Sequence, residues 1–261
     1  MKLGQLFVSD RQGKTLPLKA ALSLLLLTAV IVAFFWLSLS AVGITLDFGF
    51  TERFGTRIGQ GFVMTLLVSI ASFVVSLFLG IISALGQGSR VLPVKYLCNL
   101  YVYFIRGTPL IMQIYLFFYI IGTAWGIDNR FIAGVLTLSL FEGAYISEII
   151  RGSLLSIDAT QLEAAKAVGF SRSQTLRHVV LPQMVARTLP ALTGQLASVI
   201  KDSSLLSMIA VSELFQAMRE ISATNFKMFE VYFLLGLLYL CLTLPVTLVT
   251  KKLERRFRYE A

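Results

Sequence analysis

Charged residues are scarce in this sequence of 261 residues: lysine, arginine, aspartate and glutamate make up 14%, against about 25% in soluble globular domains. Hydrophobic residues make up 56%, and the mean hydropathy is +0.79. A soluble fold of this length cannot bury so much apolar surface, so the excess must face lipid. The composition therefore excludes an ordinary soluble domain and predicts one membrane domain with modest loops.

Histidine and cysteine are nearly absent as well. His178 is the single histidine, so a histidine-based metal or catalytic cluster has no second member. The spacing of Cys98 and Cys241 fits neither a disulfide framework nor a zinc site. The net charge is +9, but the basic residues fall between apolar blocks, which is typical of membrane proteins rather than of nucleic-acid-binding proteins. The sequence predicts no metal site, no catalytic residue and no enzyme activity on this chain.

Six apolar runs predict an all-α membrane protein with about six transmembrane helices, because each run can cross the hydrocarbon core as a helix. The runs are 20–46, 58–89, 107–127, 131–150, 188–212 and 231–250. A cleaved signal peptide is the competing interpretation of the first run. Its apolar region would normally have about 7–15 residues, so a retained helix is preferred.

The distribution of basic residues predicts the orientation of these spans. Six spans place both termini on one side of the membrane. Seventeen of the 23 lysines and arginines then fall on that side, in the two tails and in the loops 90–106 and 151–187. Because loops rich in lysine and arginine stay in the cytoplasm, both termini are predicted to be cytoplasmic.

The predicted loop 151–187 is longer than a simple connection between two spans, and it contains the signals of a short helix. Asp158 or Thr160 can act as the N-cap, Glu163 falls in the first turn, and Gly169 supplies a C-terminal stop. The apolar face of this helix is shallow and has no tryptophan or phenylalanine anchor. The pattern favours a helix that docks into a groove on a cytoplasmic partner, while a helix lying in the membrane interface stays open as the alternative.

Five stretches of the sequence carry a family resemblance. The first consists of Glu163, Ala164 and Ala165, then Gly169 and, after a spacer, Leu181 and Pro182. It resembles the EAA loop of the permease subunits of ABC importers. The other four resemble the polar amino acid branch: RGTPL at 106–110, AYISEIIRG at 144–152, LPQ at 181–183 and KDSSL at 201–205. Five stretches in the right order, over roughly residues 59–256, make the resemblance specific.

The resemblance implies the fold of an ABC type I importer permease. A five-helix permease core would occupy 58–256, with the EAA loop at 151–187 presenting a cytoplasmic coupling helix. The region 1–57 would hold an N-terminal tail, an extra transmembrane helix and an external loop, and 257–261 would be a C-terminal tail. The six residues of the EAA loop named above would contact the ATPase.

The function that the resemblance implies is that of the transmembrane permease subunit of an ATP-driven, binding-protein-dependent importer of polar amino acids. Two permease subunits, identical or homologous, would pair in the bacterial inner membrane above a dimer of ABC ATPase subunits. An extracytoplasmic solute-binding protein would deliver the amino acid. The sequence has no GxxxxGK[ST] phosphate loop, so ATP and Mg²⁺ would bind to the partner ATPase, and no cofactor is expected on this chain.

Charged residues inside the apolar runs suggest where the amino acid passes. An ionised side chain at mid-bilayer costs about 2.5–3.5 kcal/mol, so Glu142, Lys201 and Asp202 should face the bundle interior or a water-filled cavity. Lys201 would bind the carboxylate of a zwitterionic amino acid, and Asp202 or Glu142 its ammonium group. Alternatively, Lys201 and Asp202 pair with each other or lie near the external interface. Glu142 also departs from the family, which often has Asn or Ser there.

The predicted pathway also includes Thr108, Gln113 and Ser203. Pro109 disfavours helical geometry at Thr108, so a helix break is predicted there, either beside the solute path or at a simple boundary before the third span. Gln113 could line the path or form a hydrogen bond to a neighbouring helix. Glu148 and Arg151 are three residues apart and are expected to form an ion pair within one helix.

An ion-coupled secondary amino acid transporter is the alternative function. Such a protein would also have about six spans and buried charges, but it should show internal repeats and does not need a loop that docks on an ATPase. The EAA-like loop favours the ATP-driven importer. The residues do not decide which amino acid is carried, nor whether the two permease subunits are identical.

Overall fold

The computed structural model describes residues 17–257, and every regular element in that range is a helix. Most of the predicted N-terminal tail and the last four residues of the predicted C-terminal tail lie outside it. The helices are α1 (Pro17–Val42), α2 (Phe50–Gln87), α3 (Leu92–Gly107), α4 (Leu110–Tyr115), α5 (Arg130–Leu155), α6 (Ala159–Ala167), α7 (Arg172–Thr175), α8 (Leu181–Asp202), α9 (Leu214–Asn225) and α10 (Met228–Arg256). Leu116–Gly122 and Leu176–Val180 are π-helical, and Ser203–Ile209 is a 3₁₀ helix.

The chain divides into two units, and the first, which ends at Phe48, contains α1. This helix has 26 residues, or about 39 Å, which is enough to cross a bilayer. Its apolar side chains are exposed along its length, as a lipid-facing span requires. It ends at Val42 and is followed by Gly43, whose φ is +72°. The N–H of Ile44 donates to the carbonyl of Leu39 at 3.0 Å, the Schellman arrangement that a glycine favours.

Four helices among the described residues are long and apolar enough to span a membrane: α1 from Lys19, α2, α5 and α10. A fifth is added if α3 and the helix after it are one span, bent by 113° at the break after Gly107. The predicted run 188–212 differs most from the structure. Its first part belongs to α8, which has 22 residues but is too rich in polar side chains to pass this test. Its last part forms the 3₁₀ helix.

The segment 90–106, predicted to be a loop, is instead largely the helix α3. Pro93 lies in its first turn, a position that suits proline. Val102 and Ile105 are each 2% exposed and belong to a core cluster with Ala144 of α5. The prediction was wrong because the basic residues of α3 resemble those of a connecting loop. In addition, α2 begins at Phe50, well before the predicted start of that span at 58.

The second unit is centred on the contact between α2 and α5. A row of small side chains is buried on α2, where they let the two backbones approach closely: Gly61, Thr65, Ser69, Ser72, Ser76, Gly80 and Ser83. A Cβ atom added to Gly80 would lie 2.5 Å from Cγ2 of Ile146. The hydroxyl of Ser139 donates to the carbonyl of Ser72 at 3.2 Å across the contact. Helices α8 and α9 pack on this tight pair, and α10 packs in turn on α8 and α9.

Candidate functional site

The predicted EAA residues lie on and after α6, and both ends of this helix are fixed by local hydrogen bonds. The carboxylate of Asp158, the N-cap, accepts a hydrogen bond from the backbone N–H of Thr160 at 3.0 Å. This bond holds the pKa of Asp158 below its usual value. Gly169 follows the helix in the left-handed region, at φ +83°. The N–H of Phe170 donates to the carbonyl of Ala165 at 3.0 Å, which closes a Schellman turn. Of the two residues that the sequence left open, Asp158 is the N-cap.

Most of the surface of α6 is exposed. Ala165 faces inward and is 4% exposed. Glu163 and Ala164 are exposed, and Val168, just after the helix, is 70% exposed. Small and apolar side chains next to one carboxylate, uncovered by any described part of the chain, form the kind of surface that fits a groove on another protein.

Two pairs of side chains connect the EAA loop to the beginning of α8. Nε2 of Gln183 donates to Oε1 of Gln161 at 2.5 Å. Nη1 of Arg187 donates to the carbonyl oxygen and to Oγ of Ser156, both at 2.5 Å. Ser156 is the C-cap of α5 and Gln161 lies in α6. The start of α8 is therefore attached to both ends of the connection between α5 and α6.

The predicted residues Leu181 and Pro182 open α8. Pro182 occupies the first turn, where its missing N–H costs little. The preceding segment is π-helical, and Pro182 cannot donate a hydrogen bond to the carbonyl of His178, which an α-helix would require. The short helix α7 before it begins with a capping box between Ser171 and Gln174.

Within the helix bundle, the structure brings Glu142 and Asp202 together. Glu142 on α5 is completely buried. Its Oε2 accepts a hydrogen bond from Nε2 of Gln195 at 2.5 Å, while its Oε1 is buried without a hydrogen-bond donor. The carboxyl group of Asp202 is close enough to that of Glu142 to interact with it. Gln195 and Asp202 are seven residues apart, two turns of α8, so they share a face of that helix.

Lys201 lies beside this cluster but lines a different cavity. This cavity has a volume of about 310 Å³ and is lined by Lys201, Ser204, Phe215, Tyr232, Leu235, Gly236 and Tyr239. Among the described residues, Lys201 and Asp202 form no direct ion pair, although their charges are close enough to attract each other. The end of α8 therefore presents a cationic group, Lys201, to this cavity, while the neighbouring Asp202 belongs to the acidic cluster.

The other predicted pathway residues form hydrogen bonds within the chain, although Oε1 of Gln113 is buried without a donor. The helix break is present: Thr108 is extended and α4 begins at Leu110. Nε2 of the buried Gln113 donates to the carbonyl of Ile105 at 2.8 Å and to Oγ1 of Thr108 at 2.8 Å. It thereby satisfies groups that the break leaves without helical partners. The hydroxyl of Ser203 donates to the carbonyl of Ile200 at 2.8 Å. A role of these residues in transport stays a prediction.

Several residues of the site were not identified from the sequence. Gln195 could have been found because it lies two turns before Asp202 on the same helix face. The pairs Gln161–Gln183 and Arg187–Ser156 give no local signal, because each depends on how the loop folds back onto α8.

Residues 76–259 match the family described as "Binding-protein-dependent transport system inner membrane component". The chain is 36% identical over 212 residues to the L-cystine transport system permease protein TcyB of Bacillus subtilis, covering 80% of this chain and 91% of that protein. It is 35% identical over 202 residues to the glutamine transport system permease protein GlnP of Escherichia coli K12, covering 76% and 92%.

Solved structures agree with these similarities. A chain of an amino acid ABC transporter crystallised with histidines superimposes with a TM-score of 0.76 at 30% identity. The alignment covers 82% of this chain and 100% of that chain. A chain of the MetNI methionine ABC transporter in an inward-facing conformation gives a TM-score of 0.63 with the same coverage. At 16% identity, the second similarity shows the fold alone.

Proposed function

Because the chain belongs to the family of binding-protein-dependent transport system inner membrane components, we propose that it is the permease subunit of an ATP-driven importer of polar amino acids. It is a multi-pass membrane protein and a transport component rather than an enzyme. In the proposed assembly it pairs with a second permease subunit, the same or homologous. A dimer of separate ATPase subunits binds ATP and Mg²⁺, and an extracytoplasmic solute-binding protein delivers the amino acid. The relatives named for cystine and glutamine support this substrate class.

The main support for the proposal is the exposed surface of α6. This surface is accessible to an ATPase subunit, and α6 is also connected to the membrane helices by hydrogen bonds. The docked ATPase would contact Glu163, Ala164 and neighbouring residues, with Gly169 holding the turn behind them. The hydrogen bonds from Gln183 and Arg187 would transmit a displacement of α6 to α8. Coupling of this kind needs two states of the assembly that make different contacts with the ATPase.

Helix α8 joins the proposed ATPase contact to the buried acidic cluster. It extends as one helix from Leu181 to Asp202, about 33 Å, with Pro190 in its interior, where a proline removes one backbone hydrogen bond. Gln183 and Arg187 in its first two turns form hydrogen bonds to Gln161 and Ser156. Its last turns carry Gln195, Lys201 and Asp202. A rigid shift of this one helix would therefore alter the solute site when the ATPase subunits close.

The acidic cluster suggests how the ammonium group of an amino acid is bound. Two ionised carboxylates that face each other repel, and a cation between them removes the repulsion. The uncompensated Oε1 of Glu142 leaves an acceptor for such a cation. Lys201, in the adjacent aromatic cavity, would bind the carboxylate of the same solute. Every α-amino acid has both an ammonium and a carboxylate group. This arrangement therefore supports amino acids as the substrate class and does not favour one particular amino acid.

The proposed orientation places α6 and both termini in the cytoplasm of a bacterial cell. The excess of basic residues on this side supports it, as does the need of α6 to reach an ATPase. In this orientation the segment that contains α9 faces outward, where a solute-binding protein would dock.

Co-purification and ATP hydrolysis test the proposal. An ATPase subunit should co-purify with the chain, and the amino acid with its binding protein should stimulate hydrolysis. Glu163→Ala and Gly169→Ala should reduce this stimulation. Glu254→Ala, an exposed glutamate near the end of α10, is the matched control and should leave it unchanged. Unaltered stimulation in both EAA variants would defeat the docking hypothesis, and uptake driven by an ion gradient without ATP would favour the secondary transporter.

A further inference from the structure

A second cavity, which we call the α3 cavity, lies where the ends of α2 and α5 meet α3. Its volume is about 230 Å³, and it is lined by Gln87, Lys95, Asn99, Tyr103, Glu148 and Arg151. None of these residues belongs to the acidic cluster around Glu142, and all of them precede the short helix α6. Because α5 leads into α6 through a short turn at Ser156, the α3 cavity lies at the same end of the bundle as the EAA loop.

Positive charge exceeds negative charge around the α3 cavity. Both carboxylate oxygens of Glu148 accept hydrogen bonds from Arg151, each at 2.8 Å, which confirms the ion pair expected from their spacing. Glu148 also pairs with Nη1 of Arg106 at 3.1 Å. The single carboxylate of Glu148 thus pairs with two guanidinium groups, which leaves a net positive charge. The ammonium group of Lys95 adds a third positive charge, and within residues 17–257 it forms no ion pair.

Neutral hydrogen-bond donors complete the lining of the α3 cavity. The amide of Asn99 and the hydroxyl of Tyr103 line it next to Lys95 and Arg151. Gln87 is held in place because its Nε2 donates to Oγ of Ser147 at 2.8 Å. Several N–H and O–H donors with a net positive charge fit the oxygens of a phosphate group.

The outer side of α3 indicates that the phosphate belongs to a lipid. Tyr96 and Leu100 are 65% and 66% exposed, and Tyr103, at the cavity itself, is 75% exposed. Tyrosine side chains with an apolar body and a polar tip are enriched at the headgroup level of a membrane. An acyl chain could lie along this apolar side of α3 while its headgroup enters the cavity.

We propose that the α3 cavity binds the phosphodiester headgroup of an anionic phospholipid, with Lys95 as the principal cationic contact. The proposed orientation makes this a lipid of the cytoplasmic leaflet, where anionic lipids attract basic residues near the surface. The bound headgroup bridges α3 and α5 just before the chain leaves the membrane for the EAA loop.

Native mass spectrometry of the full chain in a neutral detergent, titrated with phosphatidylglycerol, tests this proposal. Lys95→Ala should weaken binding of the first phosphatidylglycerol on the order of fivefold, which is the contribution of one lysine near a membrane surface. Lys95→Arg should restore binding because it keeps the charge. Lys252→Ala is the matched control: Lys252 is an exposed lysine at the end of α10, outside the cavity, and its loss should leave this first binding step unchanged.

Two further binding measurements distinguish a lipid ligand from a soluble anion. Phosphatidylcholine has the same phosphodiester but adds a choline cation, which the positive charge around the α3 cavity disfavours. It should therefore bind more weakly than phosphatidylglycerol and with the same affinity to the wild type and to Lys95→Ala. Inorganic phosphate should not compete with phosphatidylglycerol at equal concentration. Equal binding of phosphatidylglycerol by the wild type and Lys95→Ala would overturn the proposal, and so would competition by inorganic phosphate as strong as that by the lipid.

Discussion

Replacing Gly169 with alanine tests whether the turn after α6 must be left-handed. Gly169 has φ +83°, and an added Cβ atom would meet no other atom within 4 Å. The substitution therefore changes the backbone energy and leaves the packing intact. A residue with a side chain in this region costs about 1–2 kcal/mol, which shifts the equilibrium against the native turn by about 5- to 30-fold. Asparagine visits this region more readily than alanine, so Gly169→Asn should have a smaller effect.

The assay is amino-acid-stimulated ATP hydrolysis by the permease bound to its ATPase. Stimulation should decrease from glycine to asparagine to alanine at position 169, while the thermal unfolding midpoint of the membrane bundle stays nearly constant. Gly55→Ala is the control. Gly55 lies within α2 with no atom within 4 Å of its added Cβ and no positive φ. If Gly169→Ala folds and stimulates as the wild type does, the turn does not position α6 and the reasoning is refuted.

Three further predictions concern packing, the solute site and the cap of α6. Gly80→Ala should lower the thermal unfolding midpoint, because its Cβ would lie 2.5 Å from Cγ2 of Ile146 and overpacking costs about 1–3 kcal/mol. Gly59→Ala, with no atom within 4 Å of the added Cβ, should leave the midpoint unchanged. If Gly80→Ala unfolded at the same midpoint as Gly59→Ala, this would argue against a tight contact between α2 and α5. Glu142→Gln keeps the side-chain size but removes the charge, and should weaken the apparent affinity in labelled amino acid uptake about tenfold; an unchanged affinity would exclude Glu142 from the site. Asp158→Ala should make the EAA loop more sensitive to limited proteolysis because the N-cap acceptor is lost, whereas Asp158→Asn, which keeps an acceptor oxygen but not the charge, should have a smaller effect. The pKa of Asp158 is lowered in the fold, so the contribution of its charge is complete above the usual pKa of aspartate and is lost as the pH falls through the lowered value; proteolysis that is constant across that range would contradict this.

Local features of the EAA loop could be predicted from the sequence because they depend on neighbouring residues. The cap of α6 needs a side-chain acceptor at its first residue, and Asp158 supplies it. The turn that follows needs a residue tolerant of positive φ, and Gly169 supplies it. The break at Thr108 follows from the proline after it. In each case the feature is determined by a few consecutive residues.

Features that depend on contacts between helices could not be predicted in the same way. The carboxyl groups of Glu142 and Asp202 meet because of the rotation and depth of α5 relative to α8, which no local pattern specifies. Arg187 was assigned only to a loop, yet it begins the connection between α8 and Ser156. The helix α3 was missed because its side chains are a mixture of basic and apolar residues, as in a loop.

Contact between α6 and an ATPase is the central claim, and site-directed cross-linking tests it most directly. A chain with Cys98→Ser and Cys241→Ser would carry one new thiol, from Ala164→Cys on the exposed side of α6 or from Thr224→Cys at the exposed end of α9. A thiol-linked photo-cross-linker at position 164 should capture the ATPase subunit, and one at position 224 should not. Capture of the ATPase from position 224 but not from position 164, or modification of position 164 by a thiol reagent confined to the outside of the cell, would contradict the account.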